Sequence, residues 1–204
     1  PIGRAMIRSL SPKLRKIPVL WGGVFATFAP KIILKDDVGD YVCRGEGEYA
    51  LLEFCRRACS GEDLHTVPNL WSKRDGQIIK NQMGPQVNIN ELPFADYNLF
   101  EEQAIYRPMQ GKVWRTIGVE SQRGCPYTCT YCNSPSQNIF AKQEQGVRFY
   151  RKKTIKRVKE ELEYLHKKHN IELIYWLVDT FLAMNDKEFD ELVEMYSDFR
   201  IPFW

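Results

Sequence analysis

Arg123-Gly124-Cys125-Pro126-Tyr127-Thr128-Cys129-Thr130-Tyr131-Cys132 sets three cysteines at C-x3-C-x2-C spacing, a few residues after the strand-like run Val113 to Val119. Three thiolates on one loop can each reach one iron of a cubane cluster, and soft sulfur donors favour iron–sulfur or zinc. Three ligands for a four-iron cluster leave one iron open, which is what chemistry at a metal requires. A closed structural zinc site needs a fourth ligand. The nearest histidines, His166 and His169, lie far along the chain, and no second Cys-x-x-Cys pair exists. The remaining cysteines, Cys43, Cys55 and Cys59, sit in apolar segments. Cys55 and Cys59 fall four residues apart on one helix face and could bind a metal, but they read better as small buried hydrophobes. Clustering of this kind points to metal ligation rather than a secreted disulfide framework, so a reducing, cytoplasmic setting is expected.

Outward from this loop the chain alternates strand and helix. Thr154 to Lys168 carries Ile155, Val158, Leu162 and Leu165 on one helical face. Its basic residues interleave with Glu160, Glu161 and Glu163, which reads as a solvated face. Leu173 to Val178 reads as a buried strand, and Asn185 with Glu188 as a capping box. Phe189, Leu192, Val193 and Tyr196 then form an apolar stripe, and Ile201 to Trp204 begins a further strand. Toward the N-terminus, Leu70 to Ile79 brackets Asp75-Gly76, a hairpin signal, and Asn81 to Pro108 reads as a connector. Before that come a strand, Ile17 to Trp21, ending at Gly22-Gly23, and a short helix opened by Pro30. The strand Tyr41-Val42-Cys43 leads into Arg44-Gly45-Glu46-Gly47-Glu48 and a helix with Leu51, Cys55 and Ala58 on one side, stopping at Gly61. Strand, glycine loop and helix in repetition are the mark of a doubly wound parallel sheet, whose ligands bind at the carboxyl ends of the strands. His65 falls in a polar loop with no partner in view.

Bulk properties exclude several classes. The chain has 204 residues, 44% hydrophobic and 27% charged, as in ordinary globular proteins. Its net charge of +3 gives no basic excess for nucleic-acid binding, so no nucleic acid is expected as a partner. The longest apolar runs, such as Ile17 to Ala26, fall well short of the ~20 residues of a membrane span.

The cysteine loop resembles that of the radical SAM superfamily, whose CxxxCxxC motif follows the first strand of a partial TIM barrel. The resemblance implies that Cys125, Cys129 and Cys132 hold a 4Fe-4S cluster whose fourth iron is chelated by S-adenosylmethionine. An external one-electron reductant would then drive cleavage to a deoxyadenosyl radical acting on a small-molecule substrate. Tyr131 fills the aromatic position beside the third cysteine, near the adenine. Val178-Asp179-Thr180-Phe181 stands where the family's second strand ends in a SAM-contacting motif, with Asp179 in place of the Gly-Gly-Glu form of many members.

The two glycine loops, in order and upstream, resemble the Rossmann-like domain of cobalamin-binding members. That likeness makes Gly22, Gly23, Gly45, Glu46 and Gly47 candidates for the cobalamin tail pocket. It divides the chain into the C-terminal part of a cobalamin-binding domain (1–61), a linker with a β-hairpin (62–111) and the N-terminal part of a radical SAM barrel (112–204). Methyl transfer to an unreactive carbon is the commonest activity such a member carries. The alternatives are a radical SAM enzyme without functional cobalamin and a non-catalytic zinc module. The missing initiator Met and the final strand start read as an internal fragment.

Overall fold

The computed structural model describes residues 2–35 and 39–204. The chain divides into two compact units, residues 1–87 with 143–146, and residues 88–142 with 147–204.

The first unit opens with α1 (Ile2–Arg8), followed by β1 (Leu20–Trp21), α2 (Val24–Phe28), α3 (Pro30–Leu34), β2 (Tyr41–Cys43) and α4 (Glu48–Ser60). The hairpin β3 (Leu70–Arg74) and β4 (Gln77–Lys80) completes a sheet of order β1-β2-β3-β4. Asp75 and Gly76 form its turn, both with positive φ, as Asp-Gly hairpin turns require. Only β1 and β2 are parallel; β3 runs antiparallel to both β2 and β4. The uniformly parallel sheet expected here is therefore a mixed one, because the hairpin adds directly to β2 within this unit.

Several local expectations change with it. The strand expected over Ile17–Trp21 keeps only its last two residues, after a 3-10 turn at Leu14–Lys16. The face of α4 that enters the core carries Ala50 and Phe54, packed with Tyr41, Val67 and Leu70. Leu51, Cys55, Ala58 and Cys59 point outward, so Cys55 and Cys59 are exposed and not buried hydrophobes. The inward stripe of α4 carries Phe54, whose ring packs edge-on against Tyr41 at 5.0 Å between centroids. His65, expected to stand alone, bonds through Nδ1 to Ser72 Oγ at 2.7 Å and lies against the Tyr41 ring.

In the second unit β5 (Tyr106–Met109) and β6 (Lys112–Val119) form an antiparallel hairpin, then β7 (Gln122–Arg123), α5 (Ser134–Gln145, its residues 143–145 counted with the first unit), β8 (Arg151–Lys152), α6 (Ile155–His169), β9 (Leu173–Trp176) and α7 (Asp186–Ser197) follow. Strand β9 lies parallel to β6, in register from Thr116↔Leu173 to Val119↔Trp176. Phe203 continues the order as a parallel bridge to Ile174. Strand and helix alternate here as expected, and the strand start expected over Ile201–Trp204 is present as a single bridge at Phe203. Both β5 and α5 lie in stretches where no element was expected. Neither shows a clean apolar period: β5 is short and contains Pro108, and α5 buries only Ser134 and Ala141.

The core of this unit is one cluster. Val158, Leu162 and Leu165 of α6 meet Ile117 and Val119 of β6, Ile174 and Trp176 of β9, and Leu192 and Met195 of α7. Each fully buried aliphatic side chain contributes about 1.5–3 kcal/mol, which fixes both helices on the sheet. The helix ends are closed, at α7 by the capping box expected and at α6 by caps that the sequence reading did not name. Thr154 accepts from Arg157 N, Asn170 caps in the left-handed region, and Asn185 and Glu188 make a complete capping box. Two expectations fail. Phe189 and Val193 face outward on α7, with Met195 buried instead. Glu161 is not solvated but forms a buried pair with Lys153 at 2.6 Å.

Candidate functional site

Strand β6 ends at Val119, whose carbonyl accepts from Leu177 N just past β9. The segments after both strands therefore emerge at the same end of the parallel pair. One carries the three cysteines and the other carries Asp179. The stem of the cysteine loop is pinned three ways. Gln122 and Arg123 pair with Lys152 and Arg151 of β8. Arg123 forms a two-point ion pair with Glu120, at 2.8 and 3.0 Å. The side-chain amide of Gln122 donates to the Thr180 carbonyl, joining the stem to the Asp179 segment.

Gly124 then turns the chain. Its φ is +83°, and a Cβ there would lie 2.7 Å from Phe149 Cδ1 and 3.1 Å from the Tyr150 Cα. Any side chain would clash as well as strain the backbone, so the residue before Cys125 must be glycine.

The three thiols differ in setting. Cys125 is buried, and its carbonyl accepts from Asn138 Nδ2 at 2.8 Å. Cys129 and Cys132 are exposed, linked by a bond from Cys132 N to Cys129 O. The Cys132 sulfur accepts from Ser134 N at 3.4 Å and lies 3.6 Å from Ser134 Oγ. These contacts, the backbone one foremost, hold the Cys132 thiol below its usual pKa, while the negative charge of Asp179 acts in the opposite direction. Asp179 itself is exposed. Tyr131 is 91% exposed, and hydrogen bonding to Cys129, followed by that thiolate's charge, pushes its hydroxyl pKa upward.

The structure thus brings Cys125, Cys129, Cys132, Tyr131 and Asp179 to one end of one sheet. Among the described residues, no three His, Cys, Asp or Glu side chains already surround a common metal position. The donor set nevertheless fits a cluster with an open iron: three free thiols on one irregular loop, one already accepting N–H, and no fourth cysteine or histidine in that loop.

The glycine loops of the first unit meet at a residue to which the sequence reading assigned no role. Thr27 Oγ1 donates to Gly23 O and accepts from Gly45 N, both at 3.0 Å. Thr27 thereby ties the loop after β1 to the loop after β2. Around Gly22 and Gly23 there is open space for a Cβ, and Gly47 would meet only the Cys43 sulfur at 3.9 Å. Glu46 is engaged within the loop. Its carboxylate accepts from Val87 N and its carbonyl from Asn69 Nδ2, both at 3.0 Å. Cys43 lies beneath, and burial pushes its thiol up to about 11.

Sequence reasoning also missed Glu120, Ser134 and Asn138. Glu120 stands three residues before Arg123, and Ser134 and Asn138 are four apart, so helical spacing was the one available signal.

Residues 119–201 match the Radical SAM superfamily. Over 179 residues the chain is 30% identical to an uncharacterized methyltransferase of Pyrococcus horikoshii, covering 84% of this chain and 35% of that protein. It is 26% identical over 195 residues to an anaerobic magnesium-protoporphyrin IX monomethyl ester cyclase of Synechocystis, covering 95% and 36%. Among solved structures, the cobalamin-dependent S-adenosylmethionine radical enzyme OxsB aligns with a TM-score of 0.63 at 20% identity, over 90% of this chain and 25% of its own. The radical S-adenosylmethionine methyltransferase TsrM of Kitasatospora setae aligns at 0.57 and 20% identity, over 96% and 35%. The chain spans about a third of the length of the curated relatives it matches. No helix of the described residues is long and apolar enough to cross a membrane.

Proposed function

Residues 119–201 belong to the radical SAM superfamily, and from that premise we propose that this chain is part of a cobalamin-binding radical SAM enzyme. Cys125, Cys129 and Cys132 would hold the 4Fe-4S cluster. Tyr131 would pack near the adenine of SAM and Asp179 would contact its methionine part. A cluster with SAM at its open iron supplies one-electron reductive cleavage of the sulfonium, fed by an external reductant. The chain's own contribution is to present three thiols on a loop whose stem is locked by Arg123–Glu120 and Gly124. Those anchors hold Cys125 and the Asp179 segment at the same end of the sheet.

Gly22, Gly23, Gly45 and Gly47 would let backbone approach the cobalamin tail at the carboxyl ends of β1 and β2. Glu46, committed to Val87 N, serves that pocket by shaping its loop. We assign the enzyme to methyl transfer onto an unreactive carbon of a small-molecule substrate, in a reducing, cytoplasmic setting. The observation that carries the reading is the C-x3-C-x2-C loop at the carboxyl end of β6, with Asp179 following the adjacent parallel strand.

The test is anaerobic iron and sulfide content, with EPR of the reduced protein with and without SAM. About four irons per chain and a SAM-dependent change of signal are expected. Zinc in place of iron would refute the radical reading. Corrinoid absorbance after incubation with hydroxocobalamin tests the first unit separately. No bound corrinoid would leave a radical SAM enzyme without functional cobalamin.

A further inference from the structure

The residues that follow the third cysteine have no role in the motif, yet two of them hold it. Ser134 is the first residue of α5 and Asn138 stands one turn later, so both lie on the same helical face. That face meets the loop at both ends. Asn138 Nδ2 bonds the carbonyl of Cys125, the first cysteine, at 2.8 Å. Ser134 N bonds the sulfur of Cys132, the third, at 3.4 Å, with its hydroxyl oxygen 3.6 Å from the same sulfur. Ser134 is buried, 5% exposed; the free Cys132 thiol donates to its hydroxyl oxygen, and once that sulfur is a metal-bound thiolate with no proton the hydroxyl takes the donor role beside Ser134 N. The next residue, Pro135, has no N–H, and Gln137 N is taken by Asn133 O. One N–H of the first turn of this twelve-residue helix is therefore given to Cys132.

We propose that Ser134 and Asn138 are positioning residues for the metal loop: Asn138 fixes the first ligand, and Ser134 raises the reduction potential of the cluster through its donors to Cys132. This rests on the radical SAM reading above. The physical reason is charge. Reduction adds an electron that is shared with the ligating sulfurs, and N–H and O–H donors stabilise the more negative state. Removing the hydroxyl keeps the ligand but weakens that stabilisation, so the cluster becomes harder to reduce. Removing the Asn138 amide frees the Cys125 carbonyl, so the loop loses one of its two attachments to α5.

The experiment uses the whole chain, reconstituted anaerobically with iron and sulfide. Ser134→Ala, Ser134→Gly, Ser134→Thr and Asn138→Ala are compared for iron per chain, far-UV circular dichroism and midpoint potential by optical titration. The Ala and Gly variants are expected to keep their iron while the one-electron equilibrium shifts about tenfold toward the oxidised state, which is about 59 mV more negative. Thr, which retains the hydroxyl, is expected to restore the potential. Asn138→Ala is expected to lose iron to a chelator several-fold faster than the unsubstituted chain. An unchanged midpoint in iron-loaded Ser134→Ala, or equal shifts in Ala and Thr, would overturn the tuning role. Unchanged iron retention in Asn138→Ala would overturn the clamp. Failure of the radical SAM reading shows separately, as absence of iron uptake by the unsubstituted chain.

Discussion

Replacing Gly124 with alanine places one methyl group where the structure has no room. The backbone there has φ +83°, and the new Cβ would sit 2.7 Å from Phe149 Cδ1, 3.1 Å from Phe149 Cε1 and 3.1 Å from Tyr150 Cα. Two costs add. The left-handed backbone costs an L residue roughly 1–2 kcal/mol. Overpacking costs about 1–3 kcal/mol more, and the Tyr150 backbone cannot rotate away as a side chain could. The sum is roughly 2–5 kcal/mol. Gly111 supplies the control, since it has φ +76° in the β5–β6 turn but nothing within 4 Å of its Cβ position. Gly111→Ala therefore carries the backbone cost alone, about 1–2 kcal/mol. Urea unfolding followed by tryptophan fluorescence measures both, with Trp114, Trp176 and Trp204 reporting on the second unit. Gly124→Ala should fall below Gly111→Ala by the packing difference, and it should also impair iron uptake, because relief of the clash moves the stem of the cysteine loop. Equal destabilisation of the two variants would refute the steric reasoning.

Lys153→Met should cost about 3–5 kcal/mol by leaving the Glu161 carboxylate buried without its partner, whereas Lys153→Met with Glu161→Leu should be close to neutral; a double-mutant cycle in urea decides. Thr27→Val should cost about 1–3 kcal/mol and weaken hydroxocobalamin binding, since it leaves Gly45 N without its acceptor; unchanged stability would mean water replaces the hydroxyl. Stability should decline in mild acid through His65 and His169, whose folded-state pKa values lie below the ordinary 6.5, chiefly because of burial. The unfolded chain binds those protons more readily, so the contribution is complete above pH 6.5 and is lost as pH falls through the folded values. His169, whose buried Nε2 has no hydrogen-bond partner among the described residues, gives the clean test: His169→Leu should flatten that part of the profile in urea titrations between pH 5 and 7.5.

Some of this protein could be read from its residues in order. The cysteine spacing, the apolar face of α6, the capping box of α7 and the Asp75-Gly76 turn are local. Each depends on neighbours within one or two turns of chain, and each forms as written. That the chain is a mixed α/β protein followed from their alternation; that the first sheet would be mixed and not uniformly parallel did not. What the order of residues did not decide was which of two apolar stripes on α4 and α7 turns inward, because that depends on the surface each helix meets. It also did not decide that Glu161 would be buried, because its partner Lys153 comes from outside its helix. Nor did it reveal that Thr27 joins two loops, or that Ser134 and Asn138 hold the ends of a third. The Thr27 and Asn138 contacts join residues 18 and 13 apart that only the fold brings together, whereas the Ser134 contact to Cys132 is local but shows no periodic pattern in the sequence.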